Sequence, residues 1–504
     1  MDFVRNFPLF SILLPMVSGP ISSVMSGKKA KWLNYAVVAV SGLLSVATLV
    51  YVLNTGSTYN YSMGAFPAPF GNEIRVGVLE ALTATFFCFV MLLSLIGGYR
   101  FTKVDIPEEK QNLYYIMMNL LLSSLLALIY TNDMFTGYVF IEINTIAACG
   151  LIMIRGWGRN LLAATKYMIM SLLGSGLVLI SLSILYGITG HLLMEPMHEA
   201  IVEIMENKTY TEPLTVAVGL FCVGIAIKSA LFPFHSWVPD AYGYSTCASS
   251  AILSSLVSKG YIFLLIKFFY RVIGTDIIHQ IQVDDVLFVF GIAGMVFGSI
   301  SAIQQTDVSR MIAFSSVAQI GYIYMGFGLN TEAGMIASVF HILAHATGKS
   351  LLFISLNSLS DGTWEYANYR KLRGAAYYHK FAGLGFAVGS LSMVGIPLLA
   401  GFTSKVYFAK AAFGVDSNPK MLIALVALAI STILNAMYFI GQTINIYTPL
   451  SVEHEPGSVK HSASARVAVV LFILINLVLG MGSDPVIRWI RTGLVHFGAI
   501  IKIR

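Results

Sequence analysis

The stretch that decides the fold is Gly224-Ile-Ala-Ile-Lys228-Ser-Ala-Leu-Phe-Pro233-Phe-His235-Ser-Trp-Val-Pro239-Asp240. It closes an apolar run that begins near residue 214, and it places a lysine and then two prolines where the run should continue. Proline frees a backbone carbonyl, and free backbone groups are tolerated in lipid only beside water or protein. A charged side chain in such a run is costly and marks a used position. The run therefore reads as a membrane helix interrupted where it passes a buried site. A second stretch has the same make-up: Gly395-Ile-Pro397-Leu-Leu-Ala-Gly401-Phe-Thr-Ser-Lys405.

Working outward from these two breaks, apolar runs of bilayer length, about 20 residues, recur along the whole chain. They fall near 5–26, 33–54, 76–98, 112–130, 134–154, 163–187, 214–234, 248–271, 285–304, 310–328, 332–357, 382–413, 421–446 and 466–486. The expectation is an all-α polytopic membrane protein of about fourteen transmembrane helices, because only helices and closed barrels satisfy the backbone in lipid. The period-two alternation of barrel strands is absent. The breaks fall in the seventh and twelfth spans, five apart, as an internal inverted repeat of a transporter would place them. The expected layout is one membrane domain over 1–504. It comprises N-terminal helices over 1–111, a first five-helix repeat over 112–273, a second over 283–446, and a C-terminal helix and tail over 447–504.

Composition agrees. Of 504 residues 57% are hydrophobic and 11% charged, against about 25% charged in soluble domains. That leaves too little polar surface to cover a soluble core. The net charge is +6, and its placement alternates. Lys28, Lys29, Lys31, Arg100, Lys103, Lys110, Arg155, Arg159, Arg310, Arg370, Lys371, Arg373, Lys380, Lys460 and Arg466 flank one set of loops. The other set, with residues 54–72 and the acidic stretch 194–212, is nearly free of basic residues until the tail. The positive-inside rule puts the first set in the cytoplasm and the N-terminus outside. The basic tail (Arg488, Arg491, Lys502, Arg504) then ends outside, against the pattern, unless it is an interfacial helix. The first apolar run lacks a basic leader and a small-residue cleavage site, so it reads as a retained span. The basic residues sit at loop ends rather than in a patch with interleaved aromatics, which argues against nucleic acid as a partner. Cys88, Cys149, Cys222 and Cys247 are isolated, and no Cys-x-x-Cys spacing appears. No metal, cofactor or iron–sulfur site is expected from them.

The candidate site consists of ionisable residues inside spans. Glu142 in the fifth span needs a cation nearby or takes up a proton. It reads as a proton-binding group or the partner of a lysine, with a purely structural ion pair as the alternative. Lys228 precedes the break in the seventh span, and Lys259 sits in Ser254-Ser-Leu-Val-Ser258-Lys259-Gly260 of the eighth. The alternative for each is a lysine reaching the interface. His341, His345 and Lys349 stand at i, i+4 and i+8 of the eleventh span, on one helix face, and suit a proton relay, with a pair of hydrogen-bonded packing histidines as the alternative. Two histidines at that spacing also suit zinc, but no third ligand is in view. Lys405 follows the twelfth-span break and reads as the terminal group of the path, with Lys410 nearer the interface. Glu80 and Lys166 lie within two turns of span ends, where a charge reaches water. His235 and Asp240 lie just past the seventh-span break, as proton inlet or, for Asp240, as a cap of the next helix.

Lys228-Ser-Ala-Leu-Phe-Pro-Phe-His-Ser-Trp-Val-Pro-Asp240-Ala resembles a signature of the proton-translocating antiporter-like family of respiratory complex I, Mrp sodium/proton antiporters and membrane-bound hydrogenases. Arg310-Met-Ile-Ala-Phe-Ser-Ser-Val-Ala-Gln319-Ile-Gly-Tyr, His341-x-x-x-His345-x-x-x-Lys349 and Pro397 through Lys405 look like its tenth, eleventh and twelfth spans. The resemblance covers roughly spans three to thirteen. It implies a fourteen-helix fold with inverted repeats and a hydrated axis of charges along the membrane plane. It also implies a functional Glu142–Lys228 pair, with Lys259 and Lys405 as further axis residues. The lysine at 405 is similar to the Mrp D type and some complex I subunits. Ser245-Thr246-Cys247 stands where the family often has Pro-Thr-Pro, and Glu80 where many members have aspartate. Implied partners are other membrane subunits, protons, and sodium or potassium, with a multi-pass place in the cell (inner) membrane. The rival expectation is a stand-alone secondary transporter of an organic solute, which would need a solute-sized polar site faced by half-helix ends.

Overall fold

A computed structural model describes residues 2–66, 71–360, 367–415, 417–449 and 463–497. Twelve of the described helices are long and apolar enough to cross a membrane. The first span, Phe7–Ser23, and the broken twelfth, Lys380–Val394 with Ala400–Phe413, complete the fourteen crossings that hydropathy predicts. The protein is thus a multi-pass membrane protein. Span boundaries follow local chemistry. Asp133, Thr246, Asp307 and Thr331 accept from the backbone N–H three residues on, capping the fifth, eighth, tenth and eleventh spans.

Both expected breaks are present. The seventh span runs Thr211–Ser229, stops, and resumes as Val238–Tyr244. The twelfth stops at Val394 and resumes at Ala400. Each break holds a non-glycine residue in the left-handed region, Ala230 at φ 66° and Leu398 at φ 76°. Such positions cost about 1–3 kcal/mol and persist where surrounding packing imposes them. The eighth span, Cys247–Ile273, is continuous but carries π-helical turns at Leu253–Val257 and Phe268–Ile273. Sequence periodicity carries no sign of them.

The eighth and eleventh spans are buried along the whole of their most apolar 18-residue windows, and the tenth nearly so. The eleventh, Glu332–Leu359, packs against the third, eighth, tenth, twelfth and fourteenth spans and forms the axis of the molecule. The second, sixth, thirteenth and fourteenth spans bury only a third or so of their windows and present the rest to lipid. Small residues set the closest crossings. Gly174 and Gly224 bring the sixth and seventh spans together, and Gly291, Gly298 and Gly321 do so for the ninth and tenth.

Three elements depart from the expectation. The outer loop after the second span holds a hairpin of β1 (Tyr59–Ser62) and β2 (Glu73–Val76), so the chain is not purely helical. The acidic stretch forms a helix, Met194–Asn207, tied to the fifth-span start by an Asp133–Leu193 bridge. The fourteenth span ends at Met481 rather than 486, and a separate amphipathic helix, Ser483–His496, follows. It packs across the outer end of the third span, where Leu79 meets Gly493. Arg488 and Arg491 therefore lie on a separate amphipathic helix packed across that end of the bundle. Lys460, Lys502 and Arg504 fall outside the described residues.

Gly401 lets the two halves of the twelfth span close on each other, because a Cβ there would fall 1.8 Å from the Ser392 carbonyl oxygen. Gly401→Ala is expected to destabilise the protein by about 1–3 kcal/mol, read as a lower unfolding temperature in detergent. Gly176→Ala, where a Cβ meets nothing within 4 Å, is expected to be neutral.

Candidate functional site

The structure brings the seven expected residues into the membrane interior. Lys228, Lys259, His341, His345 and Lys349 are buried, and the Glu142 side chain keeps about a quarter of its exposure. Lys228 Nζ lies 4.0 Å from Glu142 Oε1 and donates to Thr145 Oγ1 at 2.6 Å. The pair therefore forms between the fifth and seventh spans. Thr145 is one turn beyond Glu142 on the same helix face.

Each remaining lysine is solvated by one backbone carbonyl and one hydroxyl. Lys259 donates to Ser254 O, inside the first π-helical turn, and to Ser258 Oγ at 3.2 Å. Lys349 reaches Ile312 O at 2.6 Å and Ser315 Oγ, both on the tenth span. Lys405 turns back across the twelfth-span break to Val394 O at 2.7 Å and reaches Thr432 Oγ1 at 3.1 Å. Its Nζ also stands 5.3 Å from the Tyr322 ring centroid. The irregular backbone of the π turn and the break thus supplies carbonyls that regular helices would have consumed.

The histidines link these lysines. His341 Nδ1 is 2.9 Å from Ser404 Oγ, adjacent in sequence to Lys405. Its ring centroid is 6.0 Å from that of His345. His345 is fully buried, and neither ring nitrogen has a partner among the described residues. Its charge environment includes Lys259, Lys349 and His341. Buried polar atoms of this kind are normally met by internal water. Lys228 and Lys259 are not bonded to one another. Tyr261 stands between their helices, with Lys228 Nζ 5.7 Å from its ring and its hydroxyl donating to Asn144 Oδ1 at 2.9 Å.

Two expectations at the margins change. Glu80 does not reach water: it is 1% exposed and ion-paired with Arg271 on the eighth span. Arg271 in turn lies 3.9 Å from the Phe497 ring centroid. Asp240 does not cap the following helix, whose cap is Thr246. It bridges Lys166 at 2.6 Å and Arg310, joining the sixth, seventh and tenth spans near the inner face. His235 stacks on Phe232, with ring centroids 5.4 Å apart. Lys410 is exposed against Tyr407, as expected of an interfacial residue.

Sequence reading missed Lys267, which is buried and donates to Leu128 O and Thr131 O at the end of the fourth span. The signal was present, since Lys267 stands two helical turns beyond Lys259. The hydroxyl partners Thr145, Ser315 and Thr432 carried no signal. They lie on other helices.

Residues 131–432 match the family described as NADH:quinone oxidoreductase/Mrp antiporter, transmembrane. The chain belongs to this family. Among curated antiporter-family relatives, it is 31% identical to NADH-quinone oxidoreductase subunit N of Desulforudis audaxviator over 449 residues, covering 88% of this chain and 86% of the relative. It is 26% identical to the D-type Na(+)/H(+) antiporter subunit of Alkalihalophilus pseudofirmus over 499 residues, covering 96% of each. Its fold matches a chain of the archaeal membrane-bound sulfane sulfur reductase at TM-score 0.87 and 22% identity, covering 100% of this chain and 99% of that one. A chain of the Mrp complex from Dietzia sp. DQ12-45-1b matches at TM-score 0.86 and 20% identity, covering 99% and 98%. The expected resemblance and fourteen-helix architecture therefore hold.

Arg271→Leu strands the buried Glu80 and is expected to cost about 3–5 kcal/mol, whereas Glu80→Leu combined with Arg271→Leu recovers most of it. Thermal unfolding of the two variants in detergent checks the order.

Proposed function

We propose that this chain is a proton-translocating, non-redox subunit of a multisubunit cell-membrane assembly of the Mrp or complex I type. Its two repeats, 112–273 and 283–446, contribute one broken helix each. Protons enter from the cytoplasm, pass along Lys259, His345, His341 and Lys405, and leave outside, with Lys349 tuning the charge of the stripe. The Glu142–Lys228 pair acts as the switch.

The observation that carries this reading is the company each lysine keeps. Glu142 is the one carboxylate paired to an axis lysine among the described residues. Lys259, Lys349 and Lys405 face a carbonyl and a hydroxyl instead. A hydroxyl accepts from an ammonium and, after rotation, donates to a neutral amine. Both protonation states of these lysines are thereby satisfied, as a relay requires and a structural ion pair does not.

The energies are sufficient. Two unit charges 4 Å apart interact by about 4 kcal/mol at an effective dielectric of 20. Moving one proton against 100 mV costs about 2.3 kcal/mol. Separating Glu142 from Lys228 withdraws a stabilisation of the first size and favours proton release by Lys228 toward Lys259.

Solute transport is not favoured. The half-helix beginning at Ala400 has its first N–H groups taken by protein, Ala400 N by Asn476 Oδ1 at 3.1 Å and Gly401 N by Ser392 Oγ at 3.3 Å. They do not face an open site.

Lys228→Ala and Lys405→Ala, made in the full assembly reconstituted in liposomes, are expected to abolish proton movement read by a pH-sensitive dye. Unfolding temperature should be kept. Full transport by Lys228→Ala rejects the mechanism. Thr432→Val, which keeps shape but removes the hydroxyl beside Lys405, is expected to slow transport about tenfold or more, the size of a lost charged hydrogen bond. Mass spectrometry of co-purifying subunits identifies the driving reaction. Small hydrophobic partners mean cation/proton exchange; iron–sulfur or quinone-binding partners mean a redox-driven pump.

A further inference from the structure

At the inner face, the ends of the first three spans and the start of the fourth enclose a cavity of 690 Å3 that the proton path does not use. Lys28, Lys31 and Lys103 line it together with Trp32, Tyr99 and Gln111, and Glu108 and Glu109 complete its rim. None of the three lysines has an ion-pair partner among the described residues, although two carboxylates stand on the same rim. Lys31 is held in place without one. Its Nζ donates to Tyr99 Oη at 3.1 Å and sits 4.7 Å from the Trp32 ring centroid and 4.3 Å from that of Tyr99. Lys28, Lys29 and Lys31 also crowd the start of the second span, the end of a helix where cations are disfavoured. The cations are thus gathered and left uncompensated.

The surroundings say what kind of anion fits. Trp32 lines the cavity and is 68% exposed, and Val24 and Val104, next in sequence to the lining residues Met25 and Lys103, are 87% and 79% exposed. Apolar side chains beside a basic cavity, at the depth where tryptophan and tyrosine favour the headgroup layer, suit a ligand with acyl chains. The carboxylates of Glu108 and Glu109 suit hydrogen-bond donors on the same headgroup. We propose that this cavity binds a phospholipid of the inner leaflet. Its phosphodiester lies among Lys28, Lys31 and Lys103, and its headgroup hydroxyls or ammonium face Glu108 and Glu109. Choline offers that rim no hydrogen-bond donor, and phosphatidylcholine brings no net negative charge to the three lysines. The site anchors the three N-terminal spans to the lipid around them.

The full assembly, purified in mild detergent, is offered phosphatidylglycerol or phosphatidylcholine, and retained adducts are counted by native mass spectrometry. Preferential retention of phosphatidylglycerol is expected. Lys28→Gln/Lys31→Gln/Lys103→Gln is expected to lower that retention by about tenfold or more, since each lysine near such a surface attracts an anionic headgroup. Lys103→Glu alone, at an exposed position that folding does not depend on, is expected to lower it in the same direction. Arg159→Gln/Lys371→Gln, at another inner-face cavity, is expected to leave it unchanged. Equal retention of phosphatidylcholine overturns the proposal, as does an unaffected triple variant or an equal loss in the Arg159/Lys371 pair. Displacement by inorganic phosphate would identify a soluble anion instead. A photoreactive residue at position 32 that captures polypeptide rather than lipid would identify a protein contact. Either result overturns the lipid assignment.

Discussion

A lysine ammonium survives in the middle of a membrane only where oxygen atoms replace the water it has lost. Much of this structure is arranged around that requirement. Four axis lysines need acceptors, and regular helices have few to spare, because each interior carbonyl already accepts from the amide four residues on. Lys349 shares one such carbonyl, Ile312 O of the tenth span. Beyond that, the chain finds acceptors in two ways. It makes carbonyls available by breaking the twelfth span beside Lys405 and by loosening the eighth into a π turn beside Lys259. It also sets serine and threonine hydroxyls on neighbouring helices within reach. The strain at Ala230 and Leu398 is part of the same arrangement, since both fall in the breaks.

The consequence for function is a contrast between two kinds of buried charge. Glu80–Arg271 and Arg155–Asp105 are close ion pairs in which each charge is fixed by its partner. Such pairs hold helices in register. The axis lysines are held by neutral groups, apart from the loose contact of Lys228 with Glu142 at 4.0 Å. That separation is long for a hydrogen bond and short for electrostatic coupling. It leaves room for the pair to tighten or part, while the Asp240 bridge among the sixth, seventh and tenth spans keeps the inner ends together. The eleventh span, buried along its length, carries His341, His345 and Lys349 past the eighth span and the broken twelfth.

Several features were legible without coordinates. The spans, the two breaks and the charges inside them follow from composition over windows of about 20 residues and from the position of two prolines. Where local reading went astray, packing was the cause. Glu80, in the first turn of its span, looks able to reach water, yet the Ser483–His496 helix lies over that end and Arg271 meets it inside. Asp240 has the position of a helix cap but is drawn into a three-span ion network.

The sequence alone therefore determined the crossings, their alternation and the identity of the buried ionisable groups, because the cost of a charge or a proline in lipid is a property of the residue and its immediate neighbours. Only the tertiary structure decided which oxygen each lysine meets. Thr145, Ser315 and Thr432 lie 83, 34 and 27 positions from the lysines they serve. Those pairings depend on how whole helices rotate and cross, which small residues such as Gly174, Gly224 and Gly321 settle by allowing backbones to touch. No local pattern encodes that rotation, and it is the rotation that gives each costly buried charge the oxygen atoms it needs.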